Sequence, residues 1–387
     1  MDWRPCAPPW PAFPPDRLQP MASPSRLVLR RPDDWHLHLR DGAMLAAVLP
    51  STARLFARAI VMPNLRPPVT TAAAAVAYRE RILAALPPGL SFTPLMTAYL
   101  TDSTDPQDLK EGFETGVFTA VKLYPANATT NSAAGVTDLE AITPVLEMLQ
   151  AIDRPLLIHG EVTDPEVDVF DREAVFIERH LVPLRQRFPA LRVVLEHITT
   201  EQAAHYVSAC HRAGETTLAA TITPHHLHLN RNAMFAGGLR SDAYCLPVLK
   251  RERHRRALVA AATGAEPCFF LGTDSAPHAR SGKETSCGCA GIFNAAHALE
   301  SYAAIFDREG ALDRLEAFVS EHGPRFYRLP LNSETVTLVR QPQIVPRRLQ
   351  LDAAMTPPLD AAEAPRLFHA GEVLDWSVEK AGQSGTF

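Results

Sequence analysis

From Arg26 to Thr273 the chain alternates short β-branched and aliphatic runs with stretches whose apolar residues recur near every 3.6 positions. The candidate strands are residues 34–39, 59–62, 91–97, 117–123, 156–159, 192–197, 218–223 and 268–273. The candidate helices include 71–86 behind a threonine cap candidate, 106–112 behind the cap Asp105, 138–149, 172–188 and 201–213. This alternation constrains the fold more than any other feature. Parallel neighbours cannot be joined by a tight turn and need a crossover, usually a helix, so the pattern calls for a parallel α/β sheet. Eight such units spread over about 250 residues predict a closed (β/α)8 barrel of the TIM type. A doubly wound sheet is the competitor, and the strand count alone does not separate the two.

Composition narrows the function classes. Apolar residues make up 46% and charged residues 21% of the 387, which excludes a disordered chain, a collagen and a small disulfide scaffold. A chain this long can bury enough surface to fold without a metal staple, so any metal here serves chemistry. The net charge of −5 comes with no basic stripe, so a nucleic-acid footprint is not expected. The densest basic cluster, residues 250–256, reads as a helix facing solvent. The six cysteines form no CxxC pair, and Cys287-Gly288-Cys289 lacks the partners of a structural zinc site. Together these point to reduced thiols in a cytoplasm. No apolar run approaches the length of a membrane span.

Three segments are expected. Residues 1–25 open with seven prolines in the first 20 positions and read as a disordered extension, with Met21 as a candidate true start. Residues 26–330 form the barrel. Residues 331–387 read as an appendage packed on it, with a strand candidate at 335–339.

The chemistry-bearing residues cluster by position. His36 and His38 are two apart on a strand, so their imidazoles leave one face and can converge on a cation, although an isolated pair of this kind is also common on polar strand faces. His159, His197 and Asp274 each end a different candidate strand. In a barrel those ends share one mouth, where active sites are built. Four histidines and a carboxylate there make a nitrogen and oxygen site suited to Zn²⁺. Lys122 also ends a strand. An ammonium cannot ligate a cation, so Lys122 either binds an acidic substrate group or is N-carboxylated and bridges two metals. Spacing does not choose between these.

With these residues in view, the blocks Asp33–Gly42, Met62-Pro63-Asn64-Leu65, Val121-Lys122-Leu123-Tyr124-Pro125-Ala126, His159-Gly160-Glu161, Glu196-His197-Ile198-Thr199-Thr200 and Gly272-Thr273-Asp274-Ser275-Ala276-Pro277-His278 resemble the dihydroorotases, of the monofunctional bacterial type in the amidohydrolase superfamily. Asn131-Ser132 and Cys245-Leu246-Pro247 match as well, and the likeness runs from about Arg26 to Pro330. The resemblance implies a hydrolase of pyrimidine biosynthesis that reversibly cyclises N-carbamoyl-L-aspartate to L-dihydroorotate and water. It implies two Zn²⁺ per subunit, other divalent metals being possible. His36, His38 and Asp274 would hold one metal and His159 and His197 the other. N6-carboxylysine at Lys122 and a hydroxide would bridge them. Substrate binding falls by the same resemblance to His38, Arg40, Asn64, His159 and His278, and to the backbone of Leu246 and Ala290. Arg40, Asn64 and His278 would hold the substrate carboxylate.

Asp274 is then the candidate general base, passing a proton to the leaving nitrogen. The segment 125–135 follows Lys122 directly. Its small polar residues bury little, so it is expected to be mobile, and the resemblance implies that Thr129 and Thr130 close over the substrate. His225, His226 and His228 read as structural, and Asp33 and Asp34 as capping groups or supports behind the ligands. The expected partners are a small anionic substrate and a second copy of the chain in a homodimer, with no nucleic acid and no membrane. The rival readings are a hydantoinase or dihydropyrimidinase, which would lack the carboxylate pocket, and a catalytically dead scaffold, which would lack ligands.

Overall fold

The computed structural model describes residues 24–352 and 355–379. Most of the expected proline-rich extension, with Met21, therefore lies outside the described residues, as does the tail from 380 onward.

The first strand, β1 (Arg26–Arg30), precedes eight parallel strands: β2 (Asp34–Leu37), β3 (Arg58–Val61), β4 (Thr93–Tyr99), β5 (Phe118–Leu123), β6 (Leu156–Ile158), β7 (Val193–Leu195), β8 (Leu218–Ile222) and β9 (Phe269–Leu271). Their order in the sheet is the order in the chain, so each neighbour is reached by one crossover. The ring closes where Leu37 bridges Ser275 in parallel, with the Asp274 amide donating to the His36 carbonyl at 2.9 Å and the His38 amide to the Ser275 carbonyl at 3.1 Å. Closure decides for the barrel and against the open doubly wound sheet.

The barrel interior follows from period-two alternation. Trp35, Ile60, Ala120, Leu157, Val194, Ala219 and Phe270 form one buried cluster, with Tyr327 stacked on Trp35 at 4.3 Å. Two residues further along three of these strands come Lys122, Glu196 and Thr221, all buried. The same alternation that fills the floor with apolar groups thus carries polar ones to the mouth. The far faces of the strands and the helices around them make the larger outer core.

The expected cap Asp105 forms, and threonines cap two further helices. Thr71, Asp105 and Thr200 accept from backbone amides of Ala74, Gln107 and Ala203. Three expectations change. The helix of the fourth crossover starts at Thr143 rather than at 138, because 138–142 form turns first. Residues 172–187 are helical throughout but pass through a wider turn at Ile177–Leu181. The helix Gly42–Leu55 was not legible because it carries Pro50 in its interior.

The basic cluster is a further correction. Glu252–Thr263 is a helix, but Lys250 and His254 are buried rather than facing solvent. Lys250 donates to the Val248 carbonyl and lies 3.9 Å from Glu161.

The chain ends meet outside the barrel. β1 pairs antiparallel with β10 (Thr335–Val339), which also pairs with Ser377–Val378. Residues 26–30 thus belong with the C-terminal segment, not with the barrel sheet. No helix among the described residues is long and apolar enough to cross a membrane.

Candidate active site and metal centre

One cavity at the C-terminal mouth, about 320 Å³ including its opening, is bordered by His36, His38, Arg40, Asn64, Tyr124, Thr129, Thr130, His159, His197, Leu246, Asp274 and Ala290. Nearly every residue singled out from the sequence borders it. Lys122 lies buried beneath, and His278 stands behind Arg40 in a neighbouring cavity.

The histidine pair converges as its spacing requires. The register between β2 and β3 is irregular around Asp34–Leu37, which re-aims side chains at the strand end. The two Nε2 atoms lie 3.3 Å apart, and Asp274 Oδ1 stands 3.4 Å from His36 Nε2 and 3.1 Å from His38 Nε2. A tetrahedral zinc with ligands about 2.1 Å away has ligand-to-ligand edges of about 3.4 Å. The triangle therefore fits a small divalent cation. His38 Nδ1–H donates to Asn64 Oδ1 at 2.9 Å, which leaves Nε2 as the bare nitrogen. Asp34 braces the same end: its carboxylate accepts from the amides of His36 and Thr273 and from the Thr273 hydroxyl. Burial raises Asp34 to about 6.

His159 and His197 face each other with ring centroids 4.8 Å apart, and His36 lies 4.9 Å from His197. Glu161 takes His159 Nε2 at 2.9 Å, so Nδ1 is the nitrogen left for a cation. His197 and Asp274 both hold left-handed backbone, φ 43° and 44°, as the chain turns sharply off the strand ends. Behind His197, the Thr221 hydroxyl accepts its amide, and Glu173 accepts four groups from Thr199 and Thr200.

The charges ask for a cation. Burial pushes His38 to about 4 and His197 well below the ordinary value, so both offer lone pairs. Burial works against a charge on His36 too, but Glu196 and Asp274 outweigh it and raise it to about 9. A proton on His36 here balances carboxylates that a metal would otherwise neutralise. His36 Nδ1 lies 2.9 Å from Glu196 Oε1 without the alignment of an N–H···O bond. His197 Nδ1, Glu196 Oε1 and the Tyr124 hydroxyl are buried with no hydrogen-bond partner. Such orphans are costly and fit a site meant to hold a further group.

Lys122 is fully buried and paired with Glu196, with its Nζ 4.7 Å from the Tyr124 ring centroid. Burial pushes its amine down, against the pull of Glu196. The ion pair serves an ammonium. A carbamate at Lys122 would face Glu196 with the same sign, an arrangement that only nearby cations could compensate. Glu196 is the residue sequence reasoning missed. With His36 and His197 it forms a second close triad. Its signal was present, since it precedes His197 and continues the inward alternation from Val194.

The carboxylate-binding candidates are also joined. Arg40 follows the strand in left-handed backbone, φ 60°. Its Nε donates to the Pro277 carbonyl, and an NH2 group lies 3.0 Å from His278 Nε2. His278 Nε2 is also 2.9 Å from the Ala290 carbonyl, so it either donates there or accepts from Arg40. Burial holds His278 at about 3, so it is neutral.

The 125–135 segment does lie over the mouth, but it is docked rather than bare. Asn64 Nδ2 donates to the Thr130 carbonyl at 2.9 Å, Asn131 Nδ2 to the Asn64 carbonyl at 3.0 Å, and the Thr130 hydroxyl to the Ala290 carbonyl at 3.3 Å. Ala128 and Ser132 are buried, against the expectation that this segment buries little. His225, His226 and His228 all find local partners. His226 is filled on both nitrogens, by the Thr223 hydroxyl and the Pro247 carbonyl.

Comparison with known proteins identifies the family. The amidohydrolase family model matches residues 33–345. A dihydroorotase of Synechococcus sp. (strain RCC307) is 69% identical over 92% of this chain and 99% of its own length. One from Yersinia pestis (strain Pestoides F) is 57% identical over 93% and 99%. Among solved structures, the Saccharomyces cerevisiae dihydroorotase in complex with 5-fluoroorotic acid superposes with TM-score 0.83 at 33% identity, covering 92% of this chain and 98% of its own. The L-hydantoinase of Arthrobacter aurescens shares the fold at TM-score 0.73 but only 13% identity, over 91% of this chain and 83% of its own.

Proposed function

The chain belongs to the amidohydrolase family and, within it, to the dihydroorotases, and from that premise we propose that its mouth cavity reversibly cyclises N-carbamoyl-L-aspartate to L-dihydroorotate and water. The observation that carries this reading is a single cavity bordered both by the His36, His38 and Asp274 triangle and by the Arg40 guanidinium. The first suits a cation, the second an anionic substrate.

In this reading His36, His38 and Asp274 hold one Zn²⁺, and His159 and His197 hold another. Lys122, as N6-carboxylysine, would supply a further oxygen ligand. Burial, which favours the neutral amine that captures carbon dioxide, supports the modification. When bound, the metals polarise the ring amide carbonyl and make water nucleophilic near neutral pH. The remaining steps belong to the chain. Arg40, Asn64 and His278 bind the substrate carboxylate and fix the ring, with His38 and His159 alongside. Backbone groups of Leu246 and Ala290 meet its edge. In hydrolysis Asp274 accepts the proton of the attacking water and returns it to the ring nitrogen as the C–N bond breaks. In cyclisation it takes the proton from the carbamoyl nitrogen and gives it to the departing oxygen. Thr129 and Thr130 cover the substrate and exclude bulk water. Residues 26–330 are the catalytic unit, less the β1 strand, and 331–387 its appendage. A cytoplasmic homodimer completes the reading.

The test is turnover of dihydroorotate against uncharged dihydrouracil, with metal analysis of the same preparation. Preference for dihydroorotate is expected; preference for the uncharged ring would favour a hydantoinase-type activity. Absence of both metal and turnover would favour a scaffold.

A further inference from the structure

The wall of the mouth cavity at Ala290 and Gly291 has an unusual support. Behind it lies not packed core but a second cavity, about 1060 Å³ including its opening, bordered by His278, Lys283, Gly291, Arg366 and Phe368. A wall between two cavities cannot be held by apolar packing alone. Lys283 stands at this position, at the end of the short turn Arg280–Lys283. Its Nζ donates to the carbonyls of Tyr244 at 2.9 Å, Cys289 at 2.9 Å and Gly291 at 2.8 Å. An ammonium has three donors and no acceptor, so three carbonyls satisfy it completely.

We propose that Lys283 is a positioning residue that clamps the backbone around Leu246 to the backbone around Ala290, and so sets the two edges between which the substrate ring is held. The proposal rests on the substrate-binding role given above to Leu246 and Ala290. The three carbonyls come from both segments: Tyr244 lies two residues before Leu246, and Cys289 and Gly291 flank Ala290. The Gly291 amide adds a direct bond to the Tyr244 carbonyl at 2.9 Å. Gly291 itself sits at φ 150°, where an added Cβ would lie 2.6 Å from the Ala276 carbonyl, so this point of the wall accepts no side chain and is held by its backbone alone. The Ala290 carbonyl accepts from the Thr130 hydroxyl and lies 2.9 Å from His278 Nε2, so the clamp also fixes the group beside which His278 and the covering segment stand. Hydrogen bonds from a charged donor are stronger than neutral ones, and Lys283 is the one cation reaching all three carbonyls among the described residues.

Lys283→Met keeps the unbranched stem, one atom shorter, and removes every donor. The loss should raise the KM for dihydroorotate and the Kd of the unreactive ring orotate, measured by calorimetry, by about tenfold to a hundredfold. Metal content should stay at the wild-type level, and kcat should change far less than KM. A variant that binds orotate with wild-type affinity would overturn the clamp, as would one that loses kcat and metal while KM holds. If Lys283→Met does not fold, Lys283→Gln, with two donors left, is measured in the same way: an intermediate KM supports the clamp and a wild-type KM overturns it. A wild-type protein that neither hydrolyses dihydroorotate nor binds orotate would overturn the underlying substrate reading instead.

Discussion

Asn64 joins two tasks that two substitutions can separate. Its Oδ1 accepts the His38 Nδ1–H at 2.9 Å, and its Nδ2 donates to the Thr130 carbonyl at 2.9 Å. The first bond turns the ring so that the bare Nε2 faces His36 and Asp274. The second pins the covering segment, and the remaining amide hydrogen is the one available to the substrate carboxylate. In Asn64→Ala both are lost. Removing the group that orients a metal-binding histidine typically weakens metal affinity by about 10–100-fold, or roughly 1.4–2.7 kcal/mol. In Asn64→Asp the acceptor for His38 survives, and its charge makes it a stronger one. The donors do not survive. A carboxylate then faces the Thr130 carbonyl and the incoming anion, and the lost bond to a charged group alone is worth about 1.5–3 kcal/mol. The expected pattern is therefore a split. Zinc affinity, read by competition against a chromophoric chelator, falls in Asn64→Ala and holds in Asn64→Asp. The KM for dihydroorotate rises about tenfold or more in both. Wild-type zinc affinity in Asn64→Ala would refute the orienting role, and wild-type KM in Asn64→Asp would refute the role in binding the carboxylate.

Asp274→Asn removes the proton acceptor and weakens a corner of the His36 and His38 triangle, so kcat should fall by about 10²–10⁴-fold, and the acid limb of the pH–rate profile should disappear; an unchanged profile would contradict the assignment. Lys122→Ala should lose bound metal and most activity, with partial recovery when a small carboxylic acid is supplied; full metal content and activity would rule out a bridging role. Thr129→Ala combined with Thr130→Ala should cut turnover while metal content and Tm stay near wild type, because few of the segment's anchors use these hydroxyls; retained turnover and affinity would reduce the segment to a connector. Gly323→Ala should destabilise the floor by about 1–3 kcal/mol, since the added Cβ would land within the Trp35 indole; thermal melting reads this, and an unchanged Tm would show that the floor can yield.

The division between what was legible and what was not follows interaction range. Strand and helix periods are local properties of the chain, so all eight barrel strands could be read to within two residues of where they end. Their polar ends could be read with them. His36, His38, His159, His197 and Asp274 gather at one mouth because a parallel barrel brings all its C-terminal strand ends to one side, a consequence of topology rather than of any single contact. Arg40 reaches the same mouth from beyond the strand, through its own left-handed backbone, which strand periodicity does not announce.

What tertiary structure alone decided are the pairings that cross the ring. Glu196 meets Lys122 across 74 positions of sequence, and the alternation that turns each of them inward does not say that they pair. Lys250 looked like one of several solvent-facing bases, yet the fold buries it beside Glu161. The covering segment looked bare because its anchors are backbone carbonyls and an asparagine from another strand end. Lys283 is the extreme case, since the carbonyls it binds belong to every residue type alike and carry no signature. Periodicity lies in the order of side chains, so the sequence by itself determined eight parallel strand–helix units and the polar residues at their ends, while closure into a barrel came from the Leu37–Ser275 bridge. Which buried charges face one another depends on the curvature of a closed sheet, and only the folded chain decides it.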